Sequence, residues 1–433
     1  MQQRAAQIGL IFHDFPLGGS ERIAIRLMNR WAESGRKVVA FCGAVRGPLV
    51  DLIGHKVEVV ECAPAIPRAP GSHRRFGKAL RGFLEKRPVD VLFVPGNYHW
   101  PVLPALRGLA PERAPSVITQ ISTPLHRHGR GPIEQFAYNL LTRHRLRNCD
   151  AAIALSPSVI GQADNVLHRQ ITQYIRLPVL DDALRPRALT RAQGNVIVAA
   201  GRLVKEKGFD VAIRALARLE DKTARLVILG DGPLHEDLAA LARSLGVGER
   251  VEFVGYVPDI SPWLRQARLL LLSSYYEGFG AVLVEALAAG RPVVSTDCTP
   301  AIKDILIRLP GCLVAPIGDH IGMADALDRA LAGVAPDPCI LADAAEPYRI
   351  GPIADAHLDV FDRVYSARTS AAPALAERFA DQVAYIYRQR FCRQMETLHV
   401  DQREIAGRGH RMQTVVKRRG NDLARGRGKI RRR

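Results

Sequence analysis

Short apolar segments alternate along this chain with longer stretches in which apolar residues recur every three or four positions. In the first half the apolar segments are 8–12, 37–42, 57–60, 89–94, 116–121 and 151–155, and helical periodicity is clear at about 20–34, 74–86 and 133–147. In the second half the apolar segments are 196–200, 225–229, 251–253, 269–272, 292–295 and 312–314. Strands that alternate with helices are typical of parallel α/β sheets, so the pattern predicts an α/β protein.

The alternation stops once, where two prolines, Gly194 and few apolar residues separate the halves. We therefore predict an N-terminal domain at 1–180, a linker at 181–194 and a C-terminal domain at 195–352. A closing helix at 353–366 and a basic, partly disordered tail at 367–433 complete the assignment; an isolated helix at 374–398 fits within that tail. Ligands of parallel sheets bind at the carboxyl ends of the strands, so two such domains predict a ligand cleft between them.

Composition and charge narrow the classes of function. The apolar fraction of 47% is that of a globular protein, and the net charge is +18. Residues 366–433 hold 17 of the 61 basic residues but only 6 of the 43 acidic ones, which concentrates the charge in the tail. The apolar runs are too short to span a bilayer, and the first residues do not resemble a signal peptide, so we expect a cytoplasmic protein. The 7 cysteines are scattered and form no C-x-x-C pair, which argues against a zinc site.

Two glutamates near residue 280 are the strongest candidates for chemistry. Glu277 and Glu285 bracket a Gly-Phe-Gly turn and the start of an apolar helix. A continuous helix would place the two carboxylates about 80° apart on one side. Carboxylates are rarely buried without hydrogen-bond donors, and sugar or ribose hydroxyls would supply them. The free N–H groups of a helix start also favour a phosphate, so the element suits a nucleotide sugar.

Five short segments in order resemble the GT-B fold retaining glycosyltransferases of family 4, also called glycosyl transferases group 1. The segment 277–285 resembles their E-x7-E motif, 201–208 (Gly-Arg-Leu-Val-Lys-Glu-Lys-Gly) their G-R-L-x-x-x-K-G loop, and 18–22 their G-G-x-E-R loop. The segments 229–233 and 251–256 match two further blocks, and the resemblance covers roughly residues 7–366. It implies two Rossmann-like domains that face each other across a cleft, with a terminal helix that returns to the first domain.

The resemblance also implies roles for particular residues. The expected catalytic residues are Glu277, His126, Arg202 and Lys207. The expected donor-binding residues are Gly18, Gly19, Arg202, Lys207, Gly278, Phe279, Gly280, Ala281 and Glu285. The cations would neutralise a diphosphate, Glu285 would accept hydrogen bonds from ribose, and Glu277 would contact the transferred sugar. His13, His99 and His128 compete with His126, which follows the predicted strand 116–121.

No Asp-x-Asp motif occurs, so we expect no metal and no cofactor. The resemblance implies a UDP- or GDP-linked sugar as donor and a lipid-linked or glycan acceptor. The segment 295–298 (Ser-Thr-Asp-Cys) resembles some polysaccharide-building members, but the residues after it depart from their pattern and leave the donor sugar open. A nucleotide-sugar 2-epimerase of the same fold is an alternative.

Basic residues around 68–87 and 143–147 predict reversible contact with an anionic membrane, although a merely solvated basic surface would show the same pattern. The tail could bind nucleic acid through phosphates, yet residues 417–433 lack interleaved aromatic side chains, so nucleic acid is not the expected partner.

Overall fold

The computed structural model describes residues 4–126, 129–182 and 194–370. The contacts divide the chain into two compact units, Met1–Ala367 and Arg368–Arg433, and the first of them contains both sheets. The predicted tail helix at 374–398 lies outside the described residues. None of the described helices is both long and apolar enough to cross a membrane.

Seven parallel strands form the sheet of the first domain. They are β1 (Gln7–Phe12), β2 (Lys37–Cys42), β3 (Val57–Glu61), β4 (Val91–Val94), β5 (Ser116–Ile121), β6 (Ala151–Ala154) and β7 (Thr172–Tyr174). Their order across the sheet is β3-β2-β1-β4-β5-β6-β7. The order reverses between β1 and β4, which creates a crevice at the carboxyl ends of these two strands.

Six parallel strands form the sheet of the second domain. They are β8 (Val196–Ala200), β9 (Arg225–Leu229), β10 (Val251–Gly255), β11 (Leu269–Leu272), β12 (Val293–Thr296) and β13 (Leu313–Ala315). Their order is β10-β9-β8-β11-β12-β13, which repeats the first sheet up to its seventh strand. The corresponding crevice therefore lies between the ends of β8 and β11.

Twelve α-helices are found in the described residues and pack mainly on the faces of the two sheets. The first domain contains α1 (Gly19–Glu33), α2 (Ser72–Lys86), α3 (Pro132–Arg145) and α4 (Pro157–Leu167). The rest are α5 (Phe209–Arg218), α6 (His235–Ser244), α7 (Ser261–Gln266), α8 (Ala281–Ala288), α9 (Pro300–Leu306), α10 (His320–Ala332), α11 (Pro338–Ala345) and α12 (Ile350–Ser370). A run of 3-10 turns, Asn97–Leu106, lies between α2 and α3.

Helix α12 packs on the first domain. Asp362 accepts hydrogen bonds from both terminal nitrogens of Arg36, at 2.9 and 2.8 Å, and from the backbone N–H of Ala5 at 2.8 Å. Trp31 donates from its indole nitrogen to the carbonyl of Ala354, and its ring centroid lies 5.0 Å from that of Phe361. These buried contacts attach the last described helix to the beginning of the folded unit.

The strand pattern in the sequence was a good guide to this fold. The predicted α/β class with two parallel sheets is confirmed, and the strands at 37–42, 116–121, 196–200, 225–229 and 269–272 coincide with the observed ones. Strand β7 and helix α4 were not predicted. The former has only three half-buried residues, and the latter starts at a Ser-Pro pair that is also common in turns.

Candidate active site

The candidate site lies at the crevice of the second sheet. The segment 201–208 follows β8 and the segment 273–280 follows β11, and these two strands are neighbours. Because the carboxyl ends of parallel strands meet at one edge of a sheet, two motifs about 70 residues apart in sequence become adjacent.

Lys207 and Glu277 form an ion pair at this edge. The Nζ of Lys207 donates to Oε1 of Glu277 at 2.6 Å, and the hydroxyl of Ser274 donates to the same oxygen at 2.8 Å. Glu277 is only 9% exposed. A carboxylate this deeply placed keeps its charge at low cost when it is paired and hydrogen-bonded, so the arrangement fixes a negative and a positive charge side by side.

Glycines allow the two loops to come this close. A Cβ on Gly201 would lie 3.3 Å from the Lys207 side chain, so the stem of Lys207 passes directly over Gly201. Gly208 has a positive φ of 60°, and a Cβ there would lie 2.2 Å from the carbonyl oxygen of Ser273. Gly208 therefore excludes a side chain for steric reasons, whereas at Gly201 the stem of Lys207 would have to shift by a few tenths of an ångström.

Glu285 differs from Glu277 in its surroundings. Gly280, with a φ of 84°, precedes α8, so the helix starts at Ala281 and does not extend back to Glu277. The 80° relation expected for a continuous helix is therefore wrong, because a left-handed residue separates the two carboxylates. Glu285 is half-buried, and its carboxylate forms no hydrogen bond or ion pair with any described residue. Burial raises its pKa, and the nearby charges of Arg22 and Arg26 act in the opposite direction.

The first domain contacts this site directly. A Cβ on Gly278 would lie 2.3 Å from the carbonyl oxygen of Ser122, which follows β5. Asn97 holds that loop: its Oδ1 accepts from the Ser122 N–H at 2.9 Å, and its amide nitrogen donates to the Thr123 carbonyl at 3.2 Å. The turn after Glu277 therefore lies at the interface of the two domains.

The other predicted residues are more open. Gly18 is the N-cap of α1, and a Cβ on Gly19 would meet nothing within 4 Å, so the start of that helix is accessible. Arg202 and His126 are exposed, and within the described residues neither side chain has a hydrogen-bond or ion-pair partner. Phe279 is buried. The structure thus pairs Lys207 with Glu277 next to Gly278, and within the described residues Arg202 and His126 form no hydrogen bond or ion pair with them.

Two competing histidines belong to the crevice of the first sheet. His13 follows β1 and His99 follows β4, and both are buried with ring centroids 5.4 Å apart. In the described structure neither ring nitrogen of His13 has a hydrogen-bond partner. Burial lowers the pKa of His13 to about 4, and the neighbouring His73 and Arg68 act in the same direction. The third competitor, His128, lies outside the described residues.

An arginine with two acidic partners lies beside these histidines. Arg68 donates to Asp14 at 2.9 Å and to Glu21 at 2.8 Å, and it stacks over the ring of Tyr98 at 4.2 Å.

The sequence did not predict the contacts of Ser274, Asn97 or Arg22. Arg22 lies within the G-G-x-E-R segment, so that motif was the available indication.

Two parallel Rossmann-like sheets that meet at their carboxyl edges, with a paired acid and lysine at one crevice, define the GT-B class. Solved structures agree. The outer core galactosyltransferase WaaB has a TM-score of 0.62 and 18% identity, over 84% of this chain and 99% of that one. Anabaena HepE, solved with UDP-glucose, has a TM-score of 0.62 and 18% identity, over 84% of this chain and 99% of that one.

The chain belongs to glycosyltransferase family 4. The profile described as "Glycosyltransferase Family 4" matches residues 17–168, and "Glycosyl transferases group 1" matches 194–333. An uncharacterized glycosyltransferase of Haemophilus influenzae is 31% identical over 302 residues, 67% of this chain and 80% of that protein. The lipopolysaccharide core biosynthesis glycosyltransferase LpsE of Rhizobium meliloti is 29% identical over 74% of this chain and 88% of its own length.

Proposed function

We propose that this chain transfers a hexose from a UDP- or GDP-linked sugar to a lipid-linked or glycan acceptor, with retention of configuration and without a metal ion. The observation that carries the proposal is the ion pair of Lys207 and Glu277 at the crevice between β8 and β11, opposite Ser122 of the first domain. LpsE, which acts in lipopolysaccharide core biosynthesis, and HepE, which was solved with UDP-glucose, support this substrate class.

The cations at this edge suit a leaving diphosphate. When the bond between sugar and phosphate breaks, negative charge develops on the diphosphate, and fixed cations stabilise it. Lys207 is already held in place by Glu277, whereas the exposed side chain of Arg202 is free to bind two phosphate oxygens at once. The backbone N–H groups of 279–281, at the start of α8, add further donors.

The two glutamates suit different parts of the donor. Glu285 lacks a donor for its half-buried carboxylate, and ribose hydroxyls would supply one. Glu277 presents its second oxygen toward the transferred sugar, where a carboxylate stabilises an oxocarbenium-like transition state. The acceptor hydroxyl then attacks the face that the diphosphate leaves, and the leaving phosphate takes the acceptor's proton. His126 would donate to a sugar oxygen from the loop after β5.

A panel of nucleotide sugars tests the proposal. Purified protein is incubated with each UDP- or GDP-sugar and a lipid-linked acceptor analogue, and the anomeric configuration of the product is read by NMR. Retention, with turnover that survives EDTA, is expected. An inverted product, or activity that is lost to EDTA and restored only by a divalent ion, would contradict the mechanism. Interconversion of sugars without acceptor would identify an epimerase instead.

The location follows from the same proposal. A lipid-linked acceptor made in the cytoplasm would bring the enzyme to the inner face of the cytoplasmic membrane. Fractionation of cells that express the full chain tests this, with recovery at the membrane after low-salt lysis and release at high salt as the expected result.

A further inference from the structure

Helix α3 (Pro132–Arg145) is amphipathic in the opposite sense to an ordinary surface helix. Its buried side chains are polar, namely Gln135 and Thr142. Its large apolar side chains are exposed: Ile133 by 86%, Phe136 by 70%, Leu140 by 55% and Leu141 by 44%. A helix on a globular domain normally turns its apolar side inward, so this apolar side has no partner within the described structure.

The exposed apolar residues form one stripe. At 100° per residue, Ile133, Phe136, Leu140 and Leu141 span about 140° of the helix circumference. Arg143 and Arg145 lie on the two borders of the stripe, the exposed His144 lies within its last turn, and Glu134 lies beside the Arg145 border. The only acidic residue of the helix, Glu134, faces Arg130, with 3.8 Å between their charged atoms. An apolar stripe with arginines at its edges is the pattern of a helix that lies in the interface of a membrane.

Contacts hold the helix in this orientation. Arg143 donates to the carbonyl of Val166 at 3.1 Å, which attaches α3 to α4. Arg107 hydrogen-bonds the backbone carbonyl of His144, and Arg81 of α2 donates to the Arg107 carbonyl at 2.8 Å. Because both sides of α3 are tied to neighbouring elements, the helix cannot roll to bury its stripe without breaking these bonds.

Free positive charge lies on the neighbouring helix. Arg74, Arg75 and Lys78 of α2 are exposed, and in the described residues none of them forms an ion pair. The charge of Arg145 on α3 is near enough to His73 to help lower its pKa, although burial is the larger cause. The cation at the end of α3 therefore lies near the first turns of α2, which carry Arg74, Arg75 and Lys78.

We propose that α3 docks on an anionic lipid bilayer, with its apolar stripe inserted at the acyl boundary and the cations of α2 and α3 against the lipid phosphates. Apolar contact and charge together give stable but reversible anchoring. A second copy of the chain is a poorer occupant. It would bring two positively charged borders together, and four side chains fall short of the ~800 Å² per partner of a standard interface.

This docking, which rests on the proposed lipid-linked acceptor, connects the membrane to the cleft. Gln135 and Arg130 both donate to the carbonyl of Leu125, at 3.0 and 3.2 Å. Leu125 belongs to the loop whose Ser122 contacts Gly278. A bilayer bound at α3 therefore lies beside the loop that borders the site, where a lipid-linked acceptor presents its hydroxyl.

Flotation of the full chain with vesicles tests the docking. One set of vesicles is pure phosphatidylcholine and the other contains a third phosphatidylglycerol. The wild type should float with the anionic set, and a triple variant, I133S/F136S/L140S, should lose about tenfold or more of that binding. The matched control I307S/V334S replaces two exposed apolar residues of the second domain and should float like the wild type. Both variants keep residues 371–433, so the tail cannot account for a difference.

Three further measurements make the result decisive. In the variant F136W, tryptophan emission should shift to the blue on anionic vesicles and be quenched by brominated lipid. Unchanged emission, or equal flotation of the triple variant and the wild type, would overturn the docking. So would a wild-type dimer in sedimentation that the triple variant abolishes. Donor hydrolysis without vesicles should be equal in all variants; if the wild type lacks it while flotation persists, the proposed transfer fails and the docking stands.

Discussion

The two crevices of this molecule are built on the same strand order but carry opposite chemistry. In the second domain, Lys207 and Glu277 form an ion pair at the sheet edge, with 2.6 Å between Nζ and Oε1. In the first domain, the equivalent edge holds the buried His13 and His99, and three of their four ring nitrogens have no hydrogen-bond partner among the described residues. The topology therefore determines where a site lies, and the side chains determine what it can bind.

The difference has a simple electrostatic origin. A buried carboxylate or ammonium must be paired, because the cost of removing a charge from water is otherwise too high. A buried histidine avoids that cost by losing its proton, which is why the pKa of His13 falls to about 4. Under the proposed function, the second crevice would take the charged leaving group, and the neutral imidazoles of the first could hydrogen-bond the hydroxyls of an acceptor.

Removing the charge pair should have the largest effect. In Lys207→Met the diphosphate loses a fixed cation and Glu277 loses its partner, so kcat/KM for transfer should fall by about 10²–10³. The control is Lys205→Met, because Lys205 lies two residues away on the same loop and is exposed. Steady-state kinetics that show equal losses in both variants would contradict a special role for Lys207.

Separating the two domains at their contact should come next. In Gly278→Ala the new methyl group would lie 2.3 Å from the Ser122 carbonyl oxygen, so the domains must move apart. We expect kcat/KM to fall by roughly tenfold to hundredfold, since small misplacements of reacting groups are costly. Gly161→Ala is the control, because nothing lies within 4 Å of that position in α4. The contact would be unimportant for catalysis if both variants kept wild-type kinetics.

The pH dependence of donor binding should show the titration of the Glu285 carboxylate. Its pKa is raised by burial, so the carboxylate takes up a proton at a higher pH than an exposed glutamate does. Lowering the pH through that range should weaken donor binding, measured by calorimetry with the nucleotide diphosphate. In Glu285→Gln donor affinity should be about tenfold weaker near neutral pH and should lose this dependence. A variant that retained the wild-type pH profile would show that another group titrates.

Changes at the first crevice should affect the pH dependence of stability, and they should have the smallest effect on catalysis. The pKa of His13 is about 4 in the folded state, against an ordinary value of 6.5 that applies to the unfolded chain. The unfolded chain therefore binds a proton on this histidine more readily. The free energy of unfolding should therefore fall between pH 6.5 and pH 4, by up to about 3 kcal/mol from this group. In His13→Gln denaturant titrations should show a smaller fall over that range. An unchanged slope would assign the fall to His99 or to His357, a buried histidine of α12 whose pKa burial also lowers.

Much of the donor side could be predicted from the chain alone. Strands that are apolar on both faces are easy to find in a sequence. Residues that follow the carboxyl ends of neighbouring parallel strands lie close together. It was the resemblance to family 4 that predicted one cleft for Lys207 and Glu277, because the strand pattern does not show which strands are neighbours in a sheet. The glycines of the same loops were also visible, although the carbonyl oxygens they accommodate were not.

Contacts between the domains could not be predicted in this way. The approach of Ser122 to Gly278, and of Arg22 to Glu285, depends on how two separately folded sheets are oriented, and no local pattern encodes that. The same holds for the burial of His13, which comes from helices that cover the edge of the sheet.

Helix α3 shows which property of an element could not be predicted from the sequence. Its periodicity alone predicted a helix at 133–147, because apolar residues that repeat with the helical period mark one side as different from the other. The pattern does not say which side faces inward. Only the packing of α3 against its neighbours, through Gln135, Thr142 and Arg143, left Ile133 and Phe136 outside. The sequence by itself determined the elements and the chemistry of their ends, and the tertiary structure decided which surfaces face solvent, because burial depends on every neighbour at once.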